Sequence, residues 1–232
     1  TLNEQEIVIS GNVFVTVLPS VCPHILNQSI RTLKQSYPQI NVCLYEGRKH
    51  TLLRQLEKKE ATIGLTAYLE TEREIIYQFA KAQKLIIQEL FTDQLRVFVR
   101  ADHPLTAKAN ILLEDLKTVP VVTYAEKDML VTSYIHLFNQ SQQYLMNNLN
   151  GMMTAIIDND CAAVCTQSFA YENPFIQSGL IKMLDVSDFN IPFYYCLLYN
   201  AEKYRTDAET IVLQQLHKNF SQLAQNITRP SL

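Results

Sequence analysis

The residues best suited to binding chemistry stand in one short corner, Pro19-Ser20-Val21-Cys22-Pro23. A β-branched and aromatic run from Asn12 to Leu18 precedes it, and a helical pattern ending at Tyr37-Pro38 follows. The first turn of a helix presents N–H groups without intrahelical partners, and its dipole attracts anions. A carboxylate at this corner would accept the Val21 and Cys22 amides and the Ser20 hydroxyl. Ser20 equally suits a plain helix cap. The same dipole stabilises a thiolate at Cys22, which would sense oxidants or electrophiles. A small buried hydrophobe is the commoner role of a free cysteine.

Catalytic chemistry finds no comparable support. The chain carries no G-x-S-x-G elbow, Walker loop, G-x-G-x-x-G or H-E-x-x-H. His24, His50, His103, His136 and His217 are dispersed without metal-ligand spacing. Asp158 and Asp160 flank a turn rather than forming an acid–base pair. Cys161 and Cys165 on one strand stand about 13 Å apart, beyond disulfide reach. The five cysteines are odd in number and scattered, which predicts a reducing cytoplasm. No apolar run approaches the roughly 20 residues of a membrane span, and no leader opens the chain. A net charge of −3, from 20 basic and 23 acidic residues interspersed, argues against a nucleic-acid surface.

The elements that position the corner follow from hydrophobic pattern. The Asn12–Leu18 run is continuously apolar, as in a strand buried on both faces of a parallel sheet. Val21, Ile25, Leu26, Ile30 and Leu33 form one stripe of the helix behind it. Strands over 40–45 and 61–66, with a helix over 49–59 between them, complete a β-α-β-α-β order and a right-handed parallel sheet. A charged segment over 67–84 reads as a helical insertion with Ile75, Ile76 and Phe79 as its apolar stripe. Strands over 85–91 and 95–99 are joined by a turn at Thr92-Asp93, and Arg100 to Leu105 crosses into a second lobe. There a helical turn (113–117), strand (119–124), helix (129–138), strand (142–146), helix (150–158) and strands (161–165, 180–185) follow. A strand over 193–199 returns, and an amphipathic helix over 206–220 closes the pattern.

The predicted fold is α/β: two Rossmann-like lobes joined by two crossings. Lobe I spans 1–99 and 193–232, and lobe II spans 100–192. The cleft between such lobes is a favoured small-ligand site. Thr66 after the third strand, and Thr123 and Tyr124 from the second lobe, face it by strand order. Arg100 at the lobe crossing would pair with an anion, or serve as a solvated hinge residue. Phe193 at the return crossing lines the cleft or packs the core.

The order Tyr37-Pro38, Glu46-Gly47, Asp102-His103-Pro104-Leu105 and Asp115-Leu116 resembles the C-terminal effector-binding domain of LysR-type transcriptional regulators, over roughly Ile9 to Phe220. Three departures stand out. Thr62-Ile63-Gly64-Leu65 replaces the family's aspartate-led third strand. Asn159 and Cys161 hold the family's glycine positions, with Asn159 as the residue tolerating left-handed geometry. The 67–84 segment is longer than usual. The resemblance implies a type 2 periplasmic-binding-protein-like fold, no enzyme activity and no cofactor. It implies a small anionic or polar effector lying between the lobes against Pro19, Ser20, Val21 and Cys22. It also implies a cytoplasmic homodimer (a tetramer for the parent protein), with Ile25 to Leu33 of one copy against the 129–138 helix of the other. DNA would be contacted only through a winged helix-turn-helix outside this sequence, and no membrane is involved. A transporter's solute-binding protein is the alternative of the same architecture.

Overall fold

The computed structural model describes residues 8–19, 21, 23–125, 130–171, 173–201 and 204–227, with backbone alone at 130–133. Strand β1 (Gly11–Val17) leads to helix α1 (Pro23–Ser36), strand β2 (Ile40–Glu46), helix α2 (Lys49–Glu57) and strand β3 (Ile63–Leu69). β1 pairs in parallel with β2 on one side and β3 on the other. The apolar runs become central strands because both faces are covered: every residue of β3 is buried. Gly64 is what lets α2 lie so close. A Cβ there would stand 2.7 Å from Leu56 Cδ1 and 3.3 Å from Leu52 Cδ2.

Pro23 opens α1 at the position where a missing N–H costs nothing. Ile25, Leu26, Ser29 and Leu33 form its buried face. That corrects one expectation, since the apolar stripe from Ile25 to Leu33 is covered by the chain's own core and is not an open face for a second copy.

A 3-10 turn (Glu70–Glu72) and helix α3 (Arg73–Ala82) follow β3. Ile76 and Ala80 are its buried residues and Phe79 packs against the core, whereas Ile75, expected in the same stripe, is 64% exposed. On this face Tyr68, Tyr77 and Tyr194 surround the Arg73 guanidinium, 5.1 Å from the Tyr194 centroid. Glu89 binds Arg73 at 3.3 Å, accepts from Tyr77 Oη at 2.9 Å and also accepts from Tyr68 Oη.

Strand β4 (Leu85–Arg100) corrects the expected pair of strands: it is one strand of 16 residues with no turn at Thr92-Asp93. Asp93 reads as a turn residue in sequence but is 1% exposed. Its carboxylate accepts the Ser168 amide at 2.9 Å and the Gln94 amide at 2.7 Å, which holds a buried carboxylate inside a continuous strand.

Strand β5 (Pro120–Tyr124), a 3-10 segment (Leu130–Leu137) and strand β6 (Asn139–Met146) come next. The helix expected over 129–138 is thus a 3-10 segment, and Met129 lies outside the described residues. Then come helix α4 (Leu149–Asn159), strand β7 (Ala163–Thr166), helix α5 (Pro174–Gln177), strands β8 (Ile181–Leu184) and β9 (Pro192–Asn200), and helix α6 (Asp207–Ile227). The left-handed residue after α4 is Asp160 (φ 51°), not Asn159. A short polar side chain tolerates that geometry, so the turn survives without glycine.

The seven-stranded sheet runs β2-β1-β3-β9-β4-β7, with β8 on the other edge of β4's second half. β4 pairs antiparallel with β9 from Leu85 to Gln94, then with β7 and β8 from Leu95 to Arg100. β5 pairs in parallel with β6 and joins β7 through a bridge from Val121 to Ala162. β4 therefore pairs in both packed units, and β9 takes up the returning chain on the first.

Candidate ligand crevice

Parallel pairing brings the carboxyl ends of β1, β2 and β3 to one edge, with Val17 level with Glu46 and Leu65. The chain turns tightly there. Gly47 N donates to Val17 O at 3.0 Å, Leu18 N to Leu65 O at 3.2 Å, and Val21 N to Leu18 O at 3.0 Å. The Val21 amide is thus used inside the turn and Val21 is 2% exposed, which corrects its expected role as a carboxylate donor. Pro19 beside it is half-buried. Ser20 and Cys22 lie outside the described residues.

The second unit offers a matching edge. Thr166 at the end of β7 stands opposite Leu95 of β4, and the Val121–Ala162 bridge sets Tyr124 beside Cys165. Between the two edges, Asp93 and Gln94 of β4 pair with Phe193 and Pro192 of β9. Tyr195 Oη donates to Thr166 Oγ1 at 3.1 Å, tying β9 to the second unit.

Three side-chain oxygens along these edges are buried and find no hydrogen-bond partner: Thr66 Oγ1, Gln94 Oε1 and Tyr124 Oη. Buried polar atoms are nearly always bonded, and each one left alone costs about 1–3 kcal/mol. Thr66 lies within β3 rather than after it, one residue past the last β1 pair. Burial raises the pKa of the Tyr124 hydroxyl, and the nearby Cys165 thiol and Glu46 carboxylate add to the effect, so it stays protonated and able to donate. Thr123 is 4% exposed. Phe193 is 1% exposed, with its ring edge-on to Tyr195 at 5.4 Å.

The structure does not bring Arg100 to this edge. Because β4 does not break, Arg100 is carried six residues past Gln94, roughly 20 Å along the strand. It pairs there with Asp102 and with Asp160 at 3.3 Å, and donates to Ile157 O at 3.3 Å.

Sequence reasoning missed Lys49 and Glu72. Lys49 opens α2, against the preference for acidic residues at a helix N-terminus. Its Nζ meets Glu72 Oε1 at 2.8 Å, with the side chains 16% and 25% exposed. Burial lowers the lysine pKa, and the Glu72 carboxylate opposes that shift. Glu72 Oε2 also accepts the Leu69 amide at 3.0 Å, and its charge reaches Tyr134 in the second unit.

The thiols have a different character. Burial pushes Cys161, Cys165 and Cys196 up to about 12. Cys161 Sγ donates to Ala155 O at 3.2 Å, and Cys43 is half-buried. Among the described residues no group of three His, Cys, Asp or Glu could hold a metal ion. No helix among them is long and apolar enough to cross a membrane.

A sheet shared by two units, with unpartnered polar atoms on facing edges, defines a two-lobed ligand-sensing domain. The LysR substrate binding domain model matches residues 8–221, and the chain belongs to that family. It is the ligand-sensing regulatory part of a LysR-type regulator. A hydrogen peroxide-inducible genes activator from Pectobacterium carotovorum is 24% identical over 114 residues, covering 49% of this chain and 34% of that protein. One from Haemophilus influenzae is 25% identical over 181 residues, covering 75% of this chain and 46% of that protein. The chain spans about a third of the length of the first of these relatives. The reduced OxyR regulatory domain from Pseudomonas aeruginosa superimposes with a TM-score of 0.70 at 17% identity, covering 92% of this chain and 98% of that one. The reduced OxyR2 regulatory domain from Vibrio vulnificus gives 0.68 at 14% identity, covering 93% and 97%. The fold is therefore the type 2 periplasmic-binding-protein-like one.

Proposed function

We propose that the crevice between the lobes binds a small polar effector carrying both hydrogen-bond acceptors and donors. The observation that carries this is the set of unpartnered oxygens on facing edges, Thr66 Oγ1, Gln94 Oε1 and Tyr124 Oη. The two hydroxyls donate to an acceptor such as a carboxylate, and Gln94 Oε1 takes a donor. Pro19, with Ser20 and Cys22 beyond it, supplies the rest of the first wall, and Thr123 and Phe193 support the second wall and the crossing. On this reading lobe I reaches Gln94 and resumes at Pro192, earlier than the expected boundaries at 99 and 193, because that is where β4 changes partners.

An effector that bonds both edges favours the closed arrangement and shifts the population toward it. In the parent protein, a homodimer in the cytoplasm, that shift alters DNA binding by a domain outside this sequence and so controls transcription. The relatives' names, hydrogen peroxide-inducible genes activators, raise a response to oxidant as a second mode of sensing, for which this chain's thiols are the groups to weigh. Thiols held near 12 are overwhelmingly protonated at neutral pH, and the thiolate is the reactive form. That supports a reversibly bound effector over oxidation at Cys161, Cys165 or Cys196.

The test is a thermal-shift screen of central and aromatic metabolites on the wild-type chain, Tyr124→Phe and Thr66→Val. A true effector at a hundred times its Kd stabilises by about 2.7 kcal/mol. Its midpoint concentration should rise at least tenfold in either variant. Hits that titrate identically in all three proteins would place the ligand elsewhere.

A further inference from the structure

A second polar cavity, of about 270 Å³, lies in lobe I between the β4–β9 pair and the first turns of α6. Thr210, Gln214 and His217 line it from α6, at a spacing that puts them on one helix face. Gln88 of β4 and Tyr199 of β9 form the opposite wall, and Arg205, just before α6, closes one side. Arg205 lays its guanidinium over the Tyr199 ring, 5.2 Å from the centroid. Its Nε is buried and bonded to nothing among the described residues. An arginine N–H withdrawn from water without an acceptor is costly, and the missing partner must be an acceptor.

The rest of the lining points to the same kind of partner. Tyr199 Oη donates to Gln88 Oε1 at 2.8 Å, which occupies the acceptor end of that amide and leaves its NH₂ as the remaining group. Among the described residues, no acidic side chain lines the cavity. Glu209, the nearest acid in the helix, is 9% exposed and committed to the start of α6: it accepts Thr206 N at 2.8 Å while its own amide donates to Thr206 Oγ1 at 3.2 Å. Donors therefore converge from three elements onto a space to which no described residue brings a negative charge.

We propose that this cavity is an oxyanion site, taking a small carboxylate or phosphate on Arg205 with Gln88, Gln214, Thr210 and His217 around it. Stacking on Tyr199 fixes the guanidinium plane and leaves its N–H edge for two-point bonding to an oxyanion. The site is separate from the interlobe crevice and does not depend on the function proposed for it.

The experiment is a titration of the ¹⁵N-labelled chain with inorganic phosphate in one arm and succinate in another, at constant ionic strength with sodium chloride as the reference. The proposal expects saturable shifts in at least one arm, centred on the first two turns of α6. Arg205→Gln should weaken that binding at least tenfold, and Arg205→Lys less. If Arg205→Gln fails to fold, Gln214→Glu, which places a carboxylate on the exposed wall of the cavity, should produce the same loss. Absence of saturation in both arms, equal binding by wild type and Arg205→Gln, a matching response to chloride, or shifts centred on the crevice would each overturn it. Whichever arm saturates tells a carboxylate ligand from a phosphate one.

Discussion

Tyr124 carries a hydroxyl whose worth in the ligand-free chain is negative, because it is buried without a partner. Replacing it by phenylalanine keeps the ring packing and removes the desolvated oxygen. Tyr124→Phe should therefore stabilise the unliganded chain by about 1 kcal/mol, a Tm rise of about 2–4 °C for a chain of this size. A fall of the same size would show that the hydroxyl has a partner in the unliganded state. His103 makes an opposite kind of prediction. Its Nδ1 accepts the Leu105 amide at 3.2 Å and the residue is 7% exposed, so the bond requires neutral imidazole. Burial lowers its pKa, Asp160 and Asp102 oppose, and Arg100 adds to the lowering. A folded pKa below the unfolded value of about 6.5 gives stability that is complete above that pH and lost as pH falls through the folded pKa. Urea unfolding from pH 8 to 5 should show stability declining below about 6.5, by at most about 1.4 kcal/mol per pH unit from this group. His103→Asn, which keeps a side-chain acceptor without the titration, should flatten that limb. The cysteines give a third test: Cys161, Cys165 and Cys196 should resist alkylation at pH 7.5 in the native chain and react on unfolding, as followed by mass spectrometry.

At the scale of elements, the tightest constraint is α2 on β3. Gly64→Ala must displace the ends of Leu56 and Leu52 in a filled core, and should cost about 1–3 kcal/mol in urea unfolding. An unchanged midpoint would mean that α2 slides freely on the sheet. β1 and β3 were legible in sequence because each is a continuous apolar run, and burial inside the sheet is what such runs require, whereas β2 is an edge strand with one buried residue. β4 was not legible. Thr92-Asp93 is a turn-forming pair by local propensity, and what overrides it is the Ser168 amide, 75 residues away. The misplacement of Arg100 followed from that one misreading. In the stripe of α3 only Ile75 was misplaced, for a smaller reason: Ile75 and Ile76 are adjacent, and only packing decides which of them turns inward. Strand order alone suggests Thr66, Thr123, Tyr124 and Phe193 for the crevice, although Thr66 lies within β3 rather than after it. Lys49, Glu72 and Gln94 could not be suggested in that way, because a lysine on a helix start or a glutamine in a strand carries no signal until its neighbours are in place.

For the molecule as a whole, α1 no longer offers an apolar stripe for dimerisation, since Ile25, Leu26 and Leu33 are buried at home. A homodimer of this chain that meets through polar surface would weaken with salt. Light scattering at micromolar concentration should show a dimer fraction that falls between 50 and 500 mM salt, and a salt-independent mass would contradict this. The strand that pairs in both lobes, β4, has one more consequence. Neither lobe owns a complete sheet: removing lobe I strips β4 of β9, and removing lobe II strips it of β7 and β8. The lobes can change their angle, but they cannot melt one at a time without leaving half a strand unpaired. Calorimetry should then record a single endotherm whose van't Hoff and calorimetric enthalpies agree, for a chain that looks like two bodies.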